Sequence, residues 1–327
     1  MILKRDERPS HIVIAGAGPA GTTIATLLAL RGKHVTLVDP GARRTDRLEI
    51  IAPAGLHVIQ ALNLTPLLDD PAIARPCLGI RRRWGTRATE IDDFLRRPGG
   101  RGFVIERARF DDALLARAAQ AGANFVSGRV VAVRQEAGTV TTTTKTGSSQ
   151  VIISAGVTVD ATGRASAVAR RVGAQRLRGE PRIAECRWVD WRHGHCDEPV
   201  WLNVQGFEDS WRYQLLGPGG RQESWAVYPP LKRVNGSPYR RVDASSACLS
   251  RPAKEGLIAV GDAVTSFDPI ASQGLANALS TALVAAGALL SRRGLDEGAC
   301  AVYSEAVLAT FRHSEANRLA VYQALKN

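Results

Sequence analysis

The sequence is poor in lysine and in sulfur-containing residues. Only six of its 43 basic residues are lysine, and it contains one methionine and five cysteines. The cysteines are odd in number and form no CxxC pair, which argues against both a disulfide framework and a zinc site. No apolar segment reaches the roughly 18 residues that a membrane-spanning helix needs. Because the N-terminal segment is charged and lacks a signal-peptide pattern, we expect a cytoplasmic protein without a membrane span.

Positive charge is abundant but dispersed. The formal net charge is +12, and arginine supplies most of it. No block of consecutive basic residues is longer than Arg81–Arg83, so we expect no nucleic-acid partner. The segment from His193 to Cys196 holds two histidines and one cysteine. One short segment does not complete a tetrahedral metal site, and we therefore expect a polar turn and no metal.

Residues 11–40 predict a buried strand, a glycine-rich turn, a helix and a second buried strand. In such a turn the first glycine permits the tight bend, the second lets the backbone approach a pyrophosphate, and the third lets helix and strand pack closely. A carboxylate at the end of the second strand can accept hydrogen bonds from ribose hydroxyls. The residues in these positions are Gly16, Gly18, Pro19, Ala20, Gly21 and Asp39.

A second motif favours a flavin over a nicotinamide cofactor. Gly261 and Asp262 follow a predicted strand, where a carboxylate can hold ribityl hydroxyls that a nicotinamide cofactor lacks. Gln273, Gly274 and Leu275 begin a predicted helix. The positive end of that helix can face the flavin ring, where negative charge collects on reduction. Together the two motifs predict FAD.

With these motifs the sequence resembles the FAD-dependent monooxygenases of the p-hydroxybenzoate hydroxylase type. It is more similar to their tryptophan-halogenase-like and geranylgeranyl-reductase-like relatives. The resemblance rests on the two motifs above and on the segments 107–111 and 159–164. It covers residues 11 to 290, and it is specific for the superfamily without being specific for the reaction.

The expected fold class is α/β, with a Rossmann-like FAD-binding domain, an inserted antiparallel β-sheet substrate domain and a C-terminal helix. We assign residues 1–180 to the FAD-binding domain, with an interleaved substrate-side segment at about 45–105. Residues 181–250, with four short predicted strands and no helix between them, form the antiparallel sheet. Residues 251–327 return to the FAD-binding domain and end in the long helix.

The resemblance also implies roles for several residues. Arg107 would contact the FAD ribose or pyrophosphate, and the spacing admits Arg109 instead. Asp160 and Gly163 would close the cofactor site. Because this segment reads Asp-Ala-Thr-Gly where the hydroxylases begin Asp-Gly, direct NADPH binding is in doubt, and NAD(P)H or a separate flavin reductase is the expected electron donor. Glu49 would lie near the isoalloxazine ring.

The implied function is hydroxylation of an electron-rich aromatic or similar substrate through a flavin C4a-hydroperoxide. The candidate catalytic residues are Glu49 and His57, and the candidate substrate-lining residues are Trp201, Trp211 and Trp225. Partners would be a small aromatic molecule or a substrate tethered to a protein or carrier, with a flavin reductase as a further candidate partner. The alternative is an FAD-dependent reductase or dehydrogenase without oxygen insertion.

Halogenation is the less favoured reaction. The halogenase-like enzymes carry a Trp-x-Trp-x-Ile-Pro stretch, whereas residues 211–216 place a tyrosine at the second tryptophan position and lack the Ile-Pro pair. Those enzymes also have a lysine near the substrate, but residues 75–90 contain only arginines as basic residues.

Overall fold

The computed structural model describes residues 11–41, 46–136, 138–191, 199–231 and 238–326. The segment His193–Cys196 and its predicted polar turn lie outside these residues. The helices are α1 (Pro19–Ala29), α2 (Leu56–Ala61), α3 (Thr65–Leu68), α4 (Arg107–Gln120), α5 (Ala167–Arg171), α6 (Gly274–Leu290) and α7 (Glu297–Lys326). In the part of the chain that is described, every helix is too short or too polar to cross a bilayer.

The strands are short and numerous, as expected where glycine-rich turns recur between β-branched segments. In chain order they are β1 (His11–Ala15), β2 (His34–Asp39), β3 (Leu48–Ile51), β4 (Ala74–Trp84), β5 (Glu90–Asp93), β6 (Gly102–Glu106), β7 (Asn124–Ser127), β8 (Arg129–Glu136), β9 (Thr139–Thr146), β10 (Ser149–Ala155), β11 (Val157–Asp160), β12 (Arg176–Arg178), β13 (Ile183–Trp191), β14 (Val200–Phe207), β15 (Ser210–Leu216), β16 (Arg221–Tyr228), β17 (Arg240–Asp243), β18 (Ala247–Leu249), β19 (Ala253–Lys254), β20 (Leu257–Ala259) and β21 (Thr265–Ser266).

The first large sheet has six strands in the order β19-β20-β11-β1-β2-β7. All neighbours except β19 and β20 run parallel, so strands from both ends of the chain meet side by side. Strand β1 is nearly fully buried, as parallel strands covered by helices are. Helices α1, α6 and α7 cover the sheet, and the core between them contains Ile14, Ile24 and Leu28.

The second large sheet has nine strands, in the order β17-β13-β16-β15-β14-β4-β6-β3 with β5 beside β4. The predicted strands of the segment 181–250 form one part of it, and strands from residues 48–106 complete it. Strand β4 has eleven residues and pairs in parallel with β14. The sequence does not predict this strand, because three consecutive arginines interrupt the alternation of apolar and polar side chains that is typical of a strand.

The architecture confirms the predicted α/β fold class, with a Rossmann-like sheet, a large sheet that is antiparallel except for the β4–β14 pair, and a C-terminal helix. Two small three-stranded sheets flank these elements, β8-β9-β10 and β12-β18-β21. A cavity of about 1110 Å³ lies where the two large sheets and α7 meet.

Candidate functional site

The glycine-rich turn before α1 lines one end of the cavity. Gly16 has a φ of +106°, and a Cβ there would lie 2.2 Å from the carbonyl oxygen of Ala161. At Gly21 a Cβ would lie 1.8 Å from the carbonyl oxygen of Gly16. By contrast, a Cβ at Gly18 would have no atom within 4 Å, and Gly18 lines the cavity. Gly16 and Gly21 are therefore needed for close packing of the backbone, and Gly18 leaves room for a ligand.

The start of α1 is open to a negatively charged group. The helix begins at Pro19, and no side chain caps its first turn, so its free N–H groups and positive end face the cavity beside Gly18. Pro19 and Ala20 also line the cavity. Asp39 ends β2, where its carboxylate accepts hydrogen bonds from the backbone N–H of Ala17 at 2.8 Å and of Gly41 at 2.9 Å.

The second predicted motif lies beside the first. Gly261, with a φ of +61°, approaches α1 so closely that a Cβ there would lie 2.8 Å from the Cβ of Ala20. Asp262 follows it along the cavity wall, with its carboxylate 3.7 Å from the Nε of Arg164. Helix α6 does not follow directly, since it begins at Gly274 after an intervening loop. Its first turn carries no side-chain cap, and it opens onto the cavity, which Gln273, Gly274 and Leu275 line.

Asp160 and Gly163 take different places in the same turn. The Asp160 carboxylate is buried and accepts hydrogen bonds from the N–H and hydroxyl of Thr162 and from the N–H groups of Val168 and Ala169. It holds the turn together and does not line the cavity. Gly163 lines the cavity and has open space where a Cβ would stand.

A cluster of four charged residues lies at the cavity beside the start of α6. Arg107, at the start of α4, is buried and donates to both carboxylate oxygens of Asp111 at 3.0 and 3.1 Å and to the carboxylate of Glu49. Arg47 also donates to Glu49, at 3.0 Å. Arg47, Glu49 and Arg107 line the cavity. Since Arg107 is paired with two carboxylates, it positions Glu49. Arg109 lies on the same helix but not along the cavity.

Glu49 is held as a permanent anion. Burial alone would raise its pKa, but the guanidinium groups of Arg47 and Arg107 outweigh burial and lower the pKa to about 2. The carboxylate lies close to the start of α6, where a Cβ at Gly274 would be 2.9 Å from Oε1. Glu49 can therefore supply a fixed charge and an acceptor at neutral pH, but it is poorly suited to exchange protons there.

The other catalytic candidate, His57, lies outside the cavity. It is on the exposed side of α2, with Nδ1 2.5 Å from the carbonyl oxygen of Ala54. It is not among the residues that line the cavity. Leu56, Val58 and Ile59 form the buried face of α2, which leaves His57 and Gln60 on its solvent face.

The far side of the cavity is aromatic. The side chains of Trp211, Tyr213 and Trp225 line it as a stack, with ring centroids 5.3 Å apart for the first pair and 6.3 Å apart for the second. Burial raises the pKa of Tyr213 far above its usual value, so its hydroxyl stays neutral. Trp201, the third predicted tryptophan, is on the opposite face of the sheet. It packs against Gly79, and the guanidinium of Arg81 lies 4.7 Å from its ring.

A hydrogen-bonded chain joins this aromatic wall to the C-terminal helix. The indole N–H of Trp211 donates to the hydroxyl of Tyr322 at 2.8 Å, and that hydroxyl donates to the carboxylate of Asp268 at 3.0 Å. Burial raises the pKa of Asp268. Tyr322 was not among the candidates, because only folding brings the end of α7 against β15.

No group of three or more metal-ligating side chains occurs among residues that the structure describes.

The cavity joins two kinds of surface. One side, called the cofactor side after the FAD that the sequence predicts there, is the backbone around Gly18 and Gly163 with Asp262 and the start of α6. Its sheet side consists of side chains from the nine-stranded sheet and α7, among them Ile80, Trp84, Leu202, Val204, Trp211, Tyr213, Leu215, Trp225 and Val321.

The sequence matches one family model and one curated protein. The family model described as FAD binding domain matches residues 10–228, more than half of the chain. Over 132 residues the chain is 33% identical to an uncharacterized protein in the nifH2 5′ region of Methanosarcina barkeri. That match covers 37% of this chain and 66% of the other protein.

Several solved structures share the fold. The p-nitrophenol 4-monooxygenase PnpA from Pseudomonas putida DLL-E4 superposes with a TM-score of 0.82 at 15% identity, over 97% of this chain and 89% of that one. The flavin-dependent halogenase CmlS superposes with a TM-score of 0.79 at 19% identity, over 94% of this chain and 62% of that one. The peptidyl tryptophan dihydroxylase QhpG superposes with a TM-score of 0.75 at 22% identity, over 98% of this chain and 76% of that one. The chain thus spans less than two thirds of the length of CmlS.

Proposed function

Because the chain belongs to the FAD binding domain family, we propose that it is an FAD-dependent monooxygenase acting on an electron-rich aromatic or similar substrate. The predicted superfamily and FAD as its cofactor follow from that membership. The substrate, the electron donor and the reaction are proposals. The observation that carries them is that one cavity connects the open glycine turn at Gly18 with the aromatic wall at Trp211 and Trp225.

The cofactor side fits FAD in shape and polarity. The space at Gly18 and the uncapped start of α1 suit a pyrophosphate, and the Asp262 carboxylate on the cavity wall suits ribityl hydroxyls. Asp39 lies at the strand end where a ribose is expected. Bound FAD would supply the redox and dioxygen chemistry, while the protein binds, orients and excludes water.

The protein's own contribution around the flavin ring is electrostatic. The open, positive end of α6 favours negative charge near Gly274. The permanent carboxylate of Glu49 stands beside it, neutralised by Arg47 and Arg107. On the sheet side, the rings of Trp211, Tyr213 and Trp225 offer faces on which an aromatic substrate can stack. These walls would hold the substrate against the cofactor.

Two observations refine the proposal. Among the described residues, no lysine lines the cavity. This supports oxygen insertion over halogenation, because the halogenase-like enzymes have a lysine near the substrate. The fold is also shared with QhpG, whose substrate is a peptidyl tryptophan. A small aromatic molecule and a protein- or carrier-bound residue both remain within the proposal, with NAD(P)H or a separate flavin reductase as electron donor.

The test is turnover under ¹⁸O₂. Protein loaded with FAD is supplied with NAD(P)H and a flavin reductase and offered a panel of phenols, indoles and an indole-containing peptide. We expect product heavier by one ¹⁸O atom. A parallel reaction in H₂¹⁸O under ordinary oxygen should give unlabelled product. Product formed without any label from ¹⁸O₂ would refute the monooxygenase and favour the reductase or dehydrogenase. Protein that binds no FAD would refute both.

A further inference from the structure

The sheet side of the cavity has an apolar interior and a basic rim. Strand β4 shows how both arise from one alternating pattern. Ile80 and Trp84 point into the cavity with apolar side chains, and Arg82 between them points the same way. Arg81 and Arg83 point to the other face and are exposed. Successive side chains of a strand alternate between faces, so the strand separates its three consecutive arginines into one for the cavity and two for the outer surface.

Two more arginines join Arg82 at this rim. Arg87 lies in the turn after β4, and Arg97 follows the short turn after β5. The carboxylate of Asp92 is shared between Arg82 at 3.1 Å and Arg97 at 2.8 Å. One carboxylate thus faces two guanidinium groups. The exposed Arg87 side chain makes no ion pair within the described residues, and Glu90 is the acidic residue that lines the cavity beside these arginines.

We propose that this rim, formed by Arg82, Arg87 and Arg97, binds a carboxylate or phosphate at one end of the substrate, while the apolar remainder of that substrate enters the cavity. The inference rests on the proposed function, because it takes the sheet side as the substrate's place. A guanidinium donates two parallel hydrogen bonds to either oxyanion. Arg87 is the group available for this, since Arg82 and Arg97 are already turned toward Asp92.

The interior favours the apolar part of such a molecule. Beyond the rim the walls are Leu202, Val204, Leu215 and the aromatic rings of Trp211 and Trp225. An ionic group placed among these side chains would lose its hydration without gaining a partner. A substrate with one anionic end is therefore oriented, because its charge stays at the rim and its apolar body points toward the start of α6.

Three naphthalene probes test the orientation without the natural substrate. They are 2-naphthylacetate, 2-naphthyl phosphate and the neutral 2-naphthylacetamide, each titrated by calorimetry into the FAD-loaded protein. The visible flavin spectrum reports whether each probe enters the cavity. We expect at least one anion to bind about tenfold tighter than the amide, as one charge-assisted hydrogen bond contributes. The two anionic probes distinguish a carboxylate site from a phosphate site.

The matched variants are Arg87→Ala and Arg83→Ala. Both remove an exposed arginine near the same strand, but Arg83 faces away from the cavity. We expect Arg87→Ala to weaken the anionic probe about tenfold and to leave the amide within twofold. Arg83→Ala should change neither. Flavin content and melting temperature confirm that both variants are folded.

Three outcomes would overturn the proposal: equal affinity for anionic and neutral probes, equal loss in the two variants, or no binding of either anion. These results are separable from failure of the proposed function. If ¹⁸O enters a neutral substrate with no preference for anions, the monooxygenase stands and the anionic rim is wrong. If anions bind at the rim but no substrate acquires ¹⁸O, the rim stands and the monooxygenase is wrong.

Discussion

The two sides of the cavity are built by different means. On the cofactor side the contacts come from backbone, at glycine turns whose conformation leaves few alternatives, such as Gly16 and Gly261. On the sheet side they come from side chains on strands far apart in the sequence, such as β4 and β15. A site built from backbone is sensitive to substitution at a few positions, whereas a site built from side chains spreads that sensitivity over many positions. Substitutions should therefore have abrupt effects on the cofactor side and graded ones on the sheet side.

The largest expected effect is at Gly16. Gly16→Ala places a methyl group 2.2 Å from the Ala161 carbonyl at a φ of +106°, and we expect at least about 3 kcal/mol lower unfolding free energy. Gly18→Ala should change that free energy by less than about 1 kcal/mol, because nothing lies within 4 Å. It should still weaken FAD binding about tenfold or more by occupying the ligand's space. Urea unfolding and flavin titration check both. Equal destabilisation by the two variants would contradict the division of roles.

The next effect is at Glu49 and depends on pH. Its pKa is about 2 in the folded protein against 4.5 when unperturbed, so the ionised form stabilises the fold by about 3 kcal/mol above pH 4.5. That contribution is lost as the pH falls from about 4.5 through about 2. Glu49→Gln should therefore be less stable than the wild type at pH 7, and the difference should shrink on acidification. The measurement is urea unfolding between pH 7 and pH 3.

Glu90→Gln is the control for Glu49, because Glu90 is exposed. We expect it to change the unfolding free energy by less than about 0.5 kcal/mol at any pH. A Glu49→Gln difference that stays constant down to pH 3 would contradict the charged cluster as its cause.

A smaller effect distinguishes two tyrosines of α7. Tyr322→Phe removes the hydroxyl that accepts from Trp211 and donates to Asp268. Within the described residues, the buried indole N–H of Trp211 then loses its acceptor, and the Asp268 carboxylate keeps only its bond from the N–H of Ile270. Tyr303→Phe removes one hydrogen bond, to the carbonyl of Ala259. We expect losses of about 2–3 and about 1 kcal/mol respectively. Only Tyr322→Phe should also shift tryptophan fluorescence, since only it alters the surroundings of Trp211. Equal spectra for the two variants would argue against the hydrogen-bonded chain.

The smallest effect is at Trp201. Because it stacks with Arg81 on the outer face of the sheet, Trp201→Phe should leave the affinity for 2-naphthylacetamide within twofold. Trp225→Phe, inside the cavity, should lower it about fivefold through lost stacking. Calorimetric titration compares them. If Trp201→Phe weakened the probe as much as Trp225→Phe, the placement of Trp201 outside the cavity would be contradicted.

The sequence alone allowed most of the cofactor side to be predicted. Gly16, Gly18 and Gly21 are adjacent in one turn, so their spacing carries the information, and the strand endings at Asp39 and Asp262 follow from local patterns. It failed where position depends on rotation about an element or on pairing across the chain. His57 lies on the solvent face of α2, and Trp201 takes the other face of its strand.

Local sequence thus determined the fold class, the family and the glycine turns that we propose hold FAD, because tight turns and helix starts are set by interactions between neighbours. Only the tertiary structure decided which arginine of the Arg81–Arg83 triplet enters the cavity, which tryptophans line it, and that Tyr322 contacts Trp211. Those choices depend on strand register and on the docking of α7, where residues more than a hundred positions apart come into contact. No short stretch of sequence encodes such contacts, because their free energy exists only when both partners are in place.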